Sequence, residues 1–287
     1  MPTPRAASRT AIGVTGMRAV HQLFDDAPKI LDDPIALSLL DEDGRRALAE
    51  RPVWIDSPAA LRLRSRLVVR SRYAEERLED AVRRGVRQCV ILGAGYDSFA
   101  YRQPAWARDL TLYEVDHPAT QEGKRARLAD AGVPIPANLT FAPIDFETTS
   151  LVDGLRATSL DFKEPAFFSC LGVLVYLTRE AVDAIFQLVA AFPEGSEIVF
   201  SFSQSGGGEI AERVAAGGEP WLTHFTYAEI EESLRRLGFS EVNSLGVEET
   251  RRLYFQRPRG DGLEAPPKPF MASAIVGAKS ARSLHGG

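Results

Sequence analysis

Cysteine is scarce in this chain of 287 residues, which contains two, Cys89 and Cys170. Each lies inside an apolar run, where a cysteine usually serves as a small core residue. The sequence therefore predicts a reduced, cytoplasmic protein whose fold does not depend on a disulfide framework. We also predict no metal site, and we expect a monomer or a homodimer.

The sequence also lacks an excess of positive charge and a long apolar run. Its formal net charge of -5 gives no basic field for a nucleic-acid backbone, although arginines cluster between Arg62 and Arg87. The longest apolar run, Phe167 to Leu177, is shorter than the about 20 residues that a membrane-spanning helix needs. We therefore expect a small-molecule partner, and neither nucleic acid nor a membrane.

A glycine-containing turn follows the first strand-like run of the chain. The run Gln88–Leu92 ends at Gly93-Ala94-Gly95, which predicts a buried strand that turns sharply where a ligand approaches the backbone. Asp116 follows a second strand-like run, Leu110–Val115, and stands 21 residues after Gly95. An acid at this spacing is suited to accept hydrogen bonds from ribose hydroxyls. Turn and acid together predict an adenosine-containing cofactor.

Alternatives remain open at this pocket. A nicotinamide dinucleotide would favour a third glycine at position 98, where the sequence has Ser98. Glu114 precedes Asp116 by two residues and lies on the same side of a continuing strand, so either acid could contact the ribose. Glu114 could instead be a structural carboxylate, and Lys124 on the next helix an ordinary surface lysine.

The order of the elements predicts an α/β fold for the whole chain, 1–287, as a single domain. Residues 1–84 have helical periodicity and predict a helical cap, whose longest helix runs from about Pro58 to Arg84. From residue 85 onward strands and helices alternate, which is typical of a parallel sheet covered on both faces. The last two predicted strands form a hairpin-like pair, so that one strand is antiparallel. The predicted strands are Gln88–Leu92, Leu110–Val115, Thr140–Ile144, Ala166–Leu171, Glu197–Ser203, Glu241–Leu245 and Ser273–Lys279.

Four phrases resemble the leucine carboxyl methyltransferase-like family of S-adenosylmethionine-dependent methyltransferases, including its bacterial O-methyltransferase branch. They are TAIGVTGMRAV (10–20), VVRSRYAEERLEDAVRRGVRQCVILGAGYDSFAYR (68–102), YEVDHPATQEGKRARL (113–128) and FFSCLGVLVYLTREAVDAIF (167–186). The resemblance covers most of the chain. It implies the Rossmann-like class I methyltransferase fold, with seven strands and the last one antiparallel, and S-adenosyl-L-methionine as the cofactor.

The resemblance implies cofactor contacts for residues at three successive strand ends. Gly93–Gly95 passes under the methionine portion of the cofactor, and Asp116 contacts the ribose. Asp145 and Phe146 form the adenine edge, where the carboxylate accepts from the exocyclic amine. From the residues alone, Asp145 could equally be a loop acid that caps the next helix.

Basic and polar residues of the N-terminal segment are also implied at the cofactor. Arg72 corresponds to the family arginine that holds the cofactor carboxylate, for which a planar bidentate guanidinium is suited. Arg70 is the alternative, and helical spacing places the two on different faces, so only one of them points at the pocket. Thr10 and Arg18 are expected to help close the site.

The family glutamate two residues after Ser169 is replaced in this chain by Leu171. Methylation of a protein C-terminus is therefore not carried over from the family. Tyr176 lies where the family uses a tyrosine near the acceptor, although a core tyrosine is an alternative. His224 is the best-placed base for a phenol or enol acceptor, whereas a carboxylate needs none, and it could instead be a plain loop histidine.

We thus predict an S-adenosyl-L-methionine-dependent O-methyltransferase with Tyr176 and His224 as its catalytic residues. The acceptor is expected to be a small-molecule or carrier-bound metabolite, of polyketide or carboxylate type. The alternatives are a protein C-terminal carboxyl methyltransferase and a non-catalytic cofactor-binding protein, which the loss of the family glutamate makes conceivable.

Overall fold

A computed structural model describes residues 8–145, 149–204, 211–212, 215–216, 218–256 and 259–278. Its strands are β1 (Gln88–Leu92), β2 (Thr111–Asp116), β3 (Leu139–Pro143), β4 (Ala166–Cys170), β5 (Glu197–Ser201), β6 (Phe239–Ser244) and β7 (Met271–Val276). They form one sheet in the order β3-β2-β1-β4-β5-β7-β6, in which β7 is antiparallel to both of its neighbours. The other pairs are parallel. The predicted class I methyltransferase fold is confirmed.

The α-helices with both ends described are α1 (Arg9–Phe24), α2 (Glu42–Ala49), α3 (Pro58–Arg83), α4 (Pro118–Asp130), α5 (Leu151–Arg156), α6 (Arg179–Ala191), α7 (Tyr227–Arg236) and α8 (Val247–Tyr254). Several of these helices begin at an N-cap residue whose side chain accepts a hydrogen bond from a backbone N–H of the first turn. Ser57 caps α3 by accepting from the Ala60 N–H, and Pro58 occupies the first turn, where no amide donor is needed. None of these helices is both long and apolar enough to cross a membrane.

The central strands β1, β4 and β5 are buried along their whole length. Successive side chains point to opposite sides of the sheet, so both faces are covered there. In β4, Phe167 packs on the side of α3, whereas Phe168 packs on the side of α6. Helix α3 contributes Val68 and Val69 to the first of these cores. The longest helix of the N-terminal segment is therefore a layer of the central sandwich and not only part of a cap.

The largest departure from the predicted elements lies between the last two strands. No helix was predicted between these two strands, and α8 lies there. Its sequence VEETRRLY is short, half of its residues are charged, and Thr250 is its buried residue, so few apolar residues mark it as a helix. Strand β7 ends at Val276, before the predicted end at Lys279, which lies outside the described residues. Cys89 and Cys170 are buried free thiols.

Candidate functional site

A cavity of about 600 Å³ opens at the carboxyl ends of β1, β2 and β4. Strands β1 and β4 are neighbours, and the chain leaves β1 toward β2 on the other side. Such a switch point leaves a crevice above the sheet, which is where ligands bind in open α/β folds. The start of α1 and the segment Glu219–Leu222 complete the wall of the cavity.

The turn after β1 requires glycine for reasons that lie within the protein. Gly93 and Gly95 have φ angles of 63° and 50°, in the left-handed region that disfavours side chains. A Cβ on Gly93 would lie 2.3 Å from Val173 Cγ2, and one on Gly95 would lie 3.2 Å from Ala11 Cβ. The glycines thus let the loop after β4 and the helix α1 approach the turn, and Gly93-Ala94-Gly95 lines the cavity.

Asp116, at the end of β2, holds this turn in place. Its Oδ2 accepts from the Gly95 N–H at 2.6 Å, and its Oδ1 accepts from the His117 N–H at 2.7 Å. Burial raises the pKa of the carboxyl, while the two backbone donors oppose the rise. Asp116 lines the cavity, so a carboxylate is presented to a ligand by the same contacts that order the glycine turn.

Glu114 has a structural role, which resolves the alternatives left open by the sequence. It is fully buried away from the cavity and forms an ion pair with Lys124 Nζ at 2.7 Å. Burial raises the pKa of the Glu114 carboxyl. Lys124 is fully buried as well, so its interpretation as a surface lysine is wrong. Its burial is compensated by the ion pair with Glu114 on β2.

The predicted adenine edge is described in part. Asp145 lines the cavity just after β3, and its Oδ2 lies 4.0 Å from His117 Nε2. Phe146 lies outside the described residues, so its role stays a prediction.

The structure does not place Arg72 at the cavity, which corrects the assignment made from the sequence. Arg72 is about half exposed and pairs with Glu76 at 2.7 Å on the outer face of α3. Residues two positions apart on a helix point in directions that differ by about 200°. Arg70 therefore faces inward, whereas Arg72 faces outward. Arg70 lines the cavity.

Arg70 is a cation without a carboxylate partner among the described residues. Its Nε is buried and makes no hydrogen bond, and its Nη1 would lie 2.7 Å from a Cβ placed on Gly172. Burial lowers the pKa of Arg70 to about 10, which leaves the guanidinium charged at neutral pH. Its surroundings therefore fit an anionic group of a bound ligand.

The N-terminal helix α1 covers the cavity, as expected for Thr10 and Arg18. Both residues line it. Arg18 is buried and donates to Ser98 Oγ at 3.1 Å, and it forms an ion pair with Asp33 at 3.1 Å. Ser98, at the position where a dinucleotide fingerprint would have a glycine, is thus used as an anchor for α1.

The two predicted catalytic residues differ in position. Tyr176 lines the cavity from the short turn Leu174–Tyr176 after β4. His224 does not line the cavity: its side chain is exposed, and its carbonyl accepts from Arg179 Nη2 at 3.0 Å. Thr223, which is buried, holds this segment to the Leu174 carbonyl at 2.8 Å, so the next side chain points outward. His224 therefore does not face the cavity, and its assignment as the base is wrong.

Glu219 lines the cavity and was missed by the sequence reasoning. Its Oε2 accepts from the Thr10 N–H at 3.3 Å, across 209 positions of the chain. No motif surrounds Glu219, and a contact between residues so distant leaves no periodic signal. Leu171 lines the cavity, as do the apolar residues Val173, Leu177 and Leu222.

Fold and site together define a class I S-adenosyl-L-methionine-dependent methyltransferase. The family model described as leucine carboxyl methyltransferase matches residues 11–190. YktD of Bacillus subtilis (strain 168), whose name assigns it to the S-adenosyl-L-methionine-dependent methyltransferases, is 35% identical over 294 residues, which cover 90% of this chain and 94% of YktD. The chain belongs to the leucine carboxyl methyltransferase family.

Two solved structures have the same fold. A DUF574 family protein from Streptomyces avermitilis MA-4680 has a TM-score of 0.57 at 17% identity, with 92% of this chain and 97% of that chain covered. A protein from Thermobifida fusca YX, described as a methyltransferase, has a TM-score of 0.54 at 22% identity, with 84% and 92% covered. These similarities support the architecture of the sheet.

Proposed function

We propose that the protein transfers the methyl group of S-adenosyl-L-methionine to an oxygen atom of a small-molecule or carrier-bound metabolite, of polyketide or carboxylate type. The observation that carries the proposal is the composition of the cavity. Arg70, unpaired, and Asp116 line it together with the apolar group Leu171, Leu177 and Leu222. One part thus suits a charged nucleoside cofactor, and another suits an apolar acceptor.

The residues of the cavity fit the functional groups of the cofactor. The guanidinium of Arg70 would hold the cofactor carboxylate, in place of Arg72. Asp116 would accept from the ribose hydroxyls, and Asp145 from the adenine amine. The carboxylates of Asp97, Asp116 and Asp145, which line the cavity, also favour a positively charged sulfonium.

When bound, the cofactor would supply an activated methyl group on a sulfonium, which leaves as a neutral thioether. The protein is then required mainly to hold the acceptor oxygen about 3 Å from the methyl carbon, on the side opposite the sulfur. The walls formed by α1 and by Glu219–Leu222 would exclude water during transfer. Tyr176, on the turn after β4, is the polar group best suited to orient the acceptor oxygen.

Incubation with methyl-labelled cofactor and a cell extract that contains metabolites and proteins tests the proposal. Label in a small product, or in a metabolite that can be released from its carrier protein, supports it, and label on a protein C-terminus would support the C-terminal carboxyl methyltransferase instead. Tight cofactor binding without any transfer would support a non-catalytic protein. Calorimetry with S-adenosyl-L-homocysteine checks that the purified protein is competent to bind before either result is interpreted.

A further inference from the structure

Glu219 places a carboxylate at the cavity. Its Oε2 accepts from the Thr10 N–H, and among the described side chains and backbone groups Glu219 has no other hydrogen-bond or ion-pair partner. Glu219 is half-buried. Arg18 also lines the cavity, but its ion pair is with Asp33. The cavity thus presents a negative charge at Glu219 that no cation among the described side chains neutralises.

The backbone places Glu219 on the acceptor side of the cavity. Its segment is fixed by the Leu222 N–H, which donates to the Val175 carbonyl at 2.7 Å, next to Tyr176. Val175 and Tyr176 follow β4, whereas Asp116 ends β2, on the far side of β1 in the sheet. The segment of Glu219 is therefore joined to the Tyr176 side of the cavity, which Leu171 and Leu177 also line.

We infer that Glu219 selects a neutral hydroxyl acceptor with an apolar body and takes its proton during methyl transfer. The inference rests on the proposed function and narrows its acceptor class. As the new O–C bond forms and the C–S bond breaks, the acceptor O–H proton passes to Glu219 Oε1, and the sulfur keeps the electron pair of the broken bond. A carboxylate acceptor needs no such base and would be repelled by Glu219.

This assignment explains how the chain functions with Leu171 in place of the family glutamate. Glu219, from the segment after β5, supplies a carboxylate to the cavity, and Leu171 makes the wall apolar. The competing role for Glu219 is structural, as a latch on the first turn of α1 through the Thr10 N–H. Glu219→Gln separates the two roles, because the amide oxygen still accepts that hydrogen bond but cannot take a proton.

The test compares 2-naphthol with 2-naphthoate, which share a ring system and differ in the acceptor group. Both are titrated calorimetrically into wild type, Glu219→Gln and the exposed control Glu248→Gln, each loaded with S-adenosyl-L-homocysteine. Transfer of labelled methyl to each probe is then measured with S-adenosyl-L-methionine. Wild type and Glu248→Gln should bind 2-naphthol about tenfold more tightly than 2-naphthoate, and Glu219→Gln should lose this preference.

Glu219→Gln should also transfer methyl to 2-naphthol about a hundredfold more slowly, with the affinity for the cofactor unchanged. Preference of wild type for 2-naphthoate, binding of neither probe, or unchanged transfer by Glu219→Gln would each overturn the assignment. The last result would leave Glu219 as a latch only. These outcomes differ from failure of the proposed function, in which wild type does not bind the cofactor or labels no small molecule of an extract.

Discussion

Asp116 accepts a hydrogen bond from the backbone N–H of Gly95 at 2.6 Å, which joins the end of β2 to the turn after β1. Both residues line the cavity, so the contact that shapes the turn also fixes the carboxylate proposed for the ribose. A change at Asp116 should therefore affect the cofactor through two routes, one direct and one through the turn.

Asp116→Ala should weaken binding of S-adenosyl-L-homocysteine at least about tenfold, which corresponds to about 1.4 kcal/mol. Asp116→Asn keeps an oxygen for the Gly95 N–H and should bind more tightly than the alanine variant. Calorimetry with the three proteins gives the comparison. Unchanged affinity in Asp116→Ala would remove this residue from the cofactor site.

Arg70 and Arg72 form a matched pair, because they are two residues apart on one helix and only Arg70 lines the cavity. Arg70→Gln should reduce cofactor affinity about tenfold or more, since a charge-assisted contact with the carboxylate is lost. Arg72→Gln should change the affinity less than about twofold, because surface ion pairs such as that with Glu76 contribute little. Equal losses in the two variants, measured by calorimetry, would contradict the placement of Arg70.

Gly93→Ala should lower the free energy of unfolding by about 3 kcal/mol. Alanine is strained at a φ of 63°, and its Cβ would lie 2.3 Å from Val173 Cγ2. Gly13→Ala is the control: it lies in α1 with no atom within 4 Å of an added Cβ, and it should stabilise by about 0.5 kcal/mol. Urea unfolding measures both.

The double variant Gly93→Ala/Val173→Ala separates the two causes of the loss. Removing the valine side chain relieves the contact but not the backbone strain, so part of the stability should return. Full stability in the single variant Gly93→Ala would show that the turn accepts a side chain and that glycine is not needed there.

Lys124→Met should cost about 3–5 kcal/mol of unfolding free energy at neutral pH, because it leaves the buried Glu114 carboxylate unpaired. Burial already raises the pKa of Glu114, and removal of Lys124 raises it further. The variant should therefore recover stability relative to wild type as the pH falls through that raised pKa, where Glu114 becomes protonated in the folded state. Urea unfolding over a range of acidic pH values measures the recovery.

Two further variants serve as controls for the effect of Lys124→Met. Lys163→Met, at an exposed lysine, should change stability by less than about 0.5 kcal/mol. Glu114→Gln/Lys124→Met removes both charges and should regain much of the loss. A penalty in Lys124→Met that does not vary with pH would indicate lost packing and not an uncompensated carboxylate.

Much of the fold was predictable because its signals are local. The strand Gln88–Leu92 has the predicted bounds, and the other strands begin or end within a few residues of theirs. Apolar runs between glycine and proline identify strands that are buried on both faces. The short helix α8 was missed because it has eight residues, half of them charged, and few apolar residues to indicate a helix.

The cavity was predictable only in part. The turn Gly93–Gly95 and Asp116 were found from their places at strand ends, since the ends of parallel strands meet at one edge of a sheet. Asp145 was found only through the family resemblance. Arg72 was chosen over Arg70, because a one-dimensional phrase does not fix the rotation of α3 against the sheet. His224 was chosen without knowledge of the contacts that turn its side chain outward.

The sequence by itself thus determined the order of the strands, the glycine turn and the acid at the end of β2, because each depends on neighbouring residues. Only the tertiary structure decided that Arg70 faces the cavity, that Lys124 is buried against Glu114, and that Glu219 meets the start of α1. Those relationships join residues of different elements, and they are fixed by how the helices pack on the sheet.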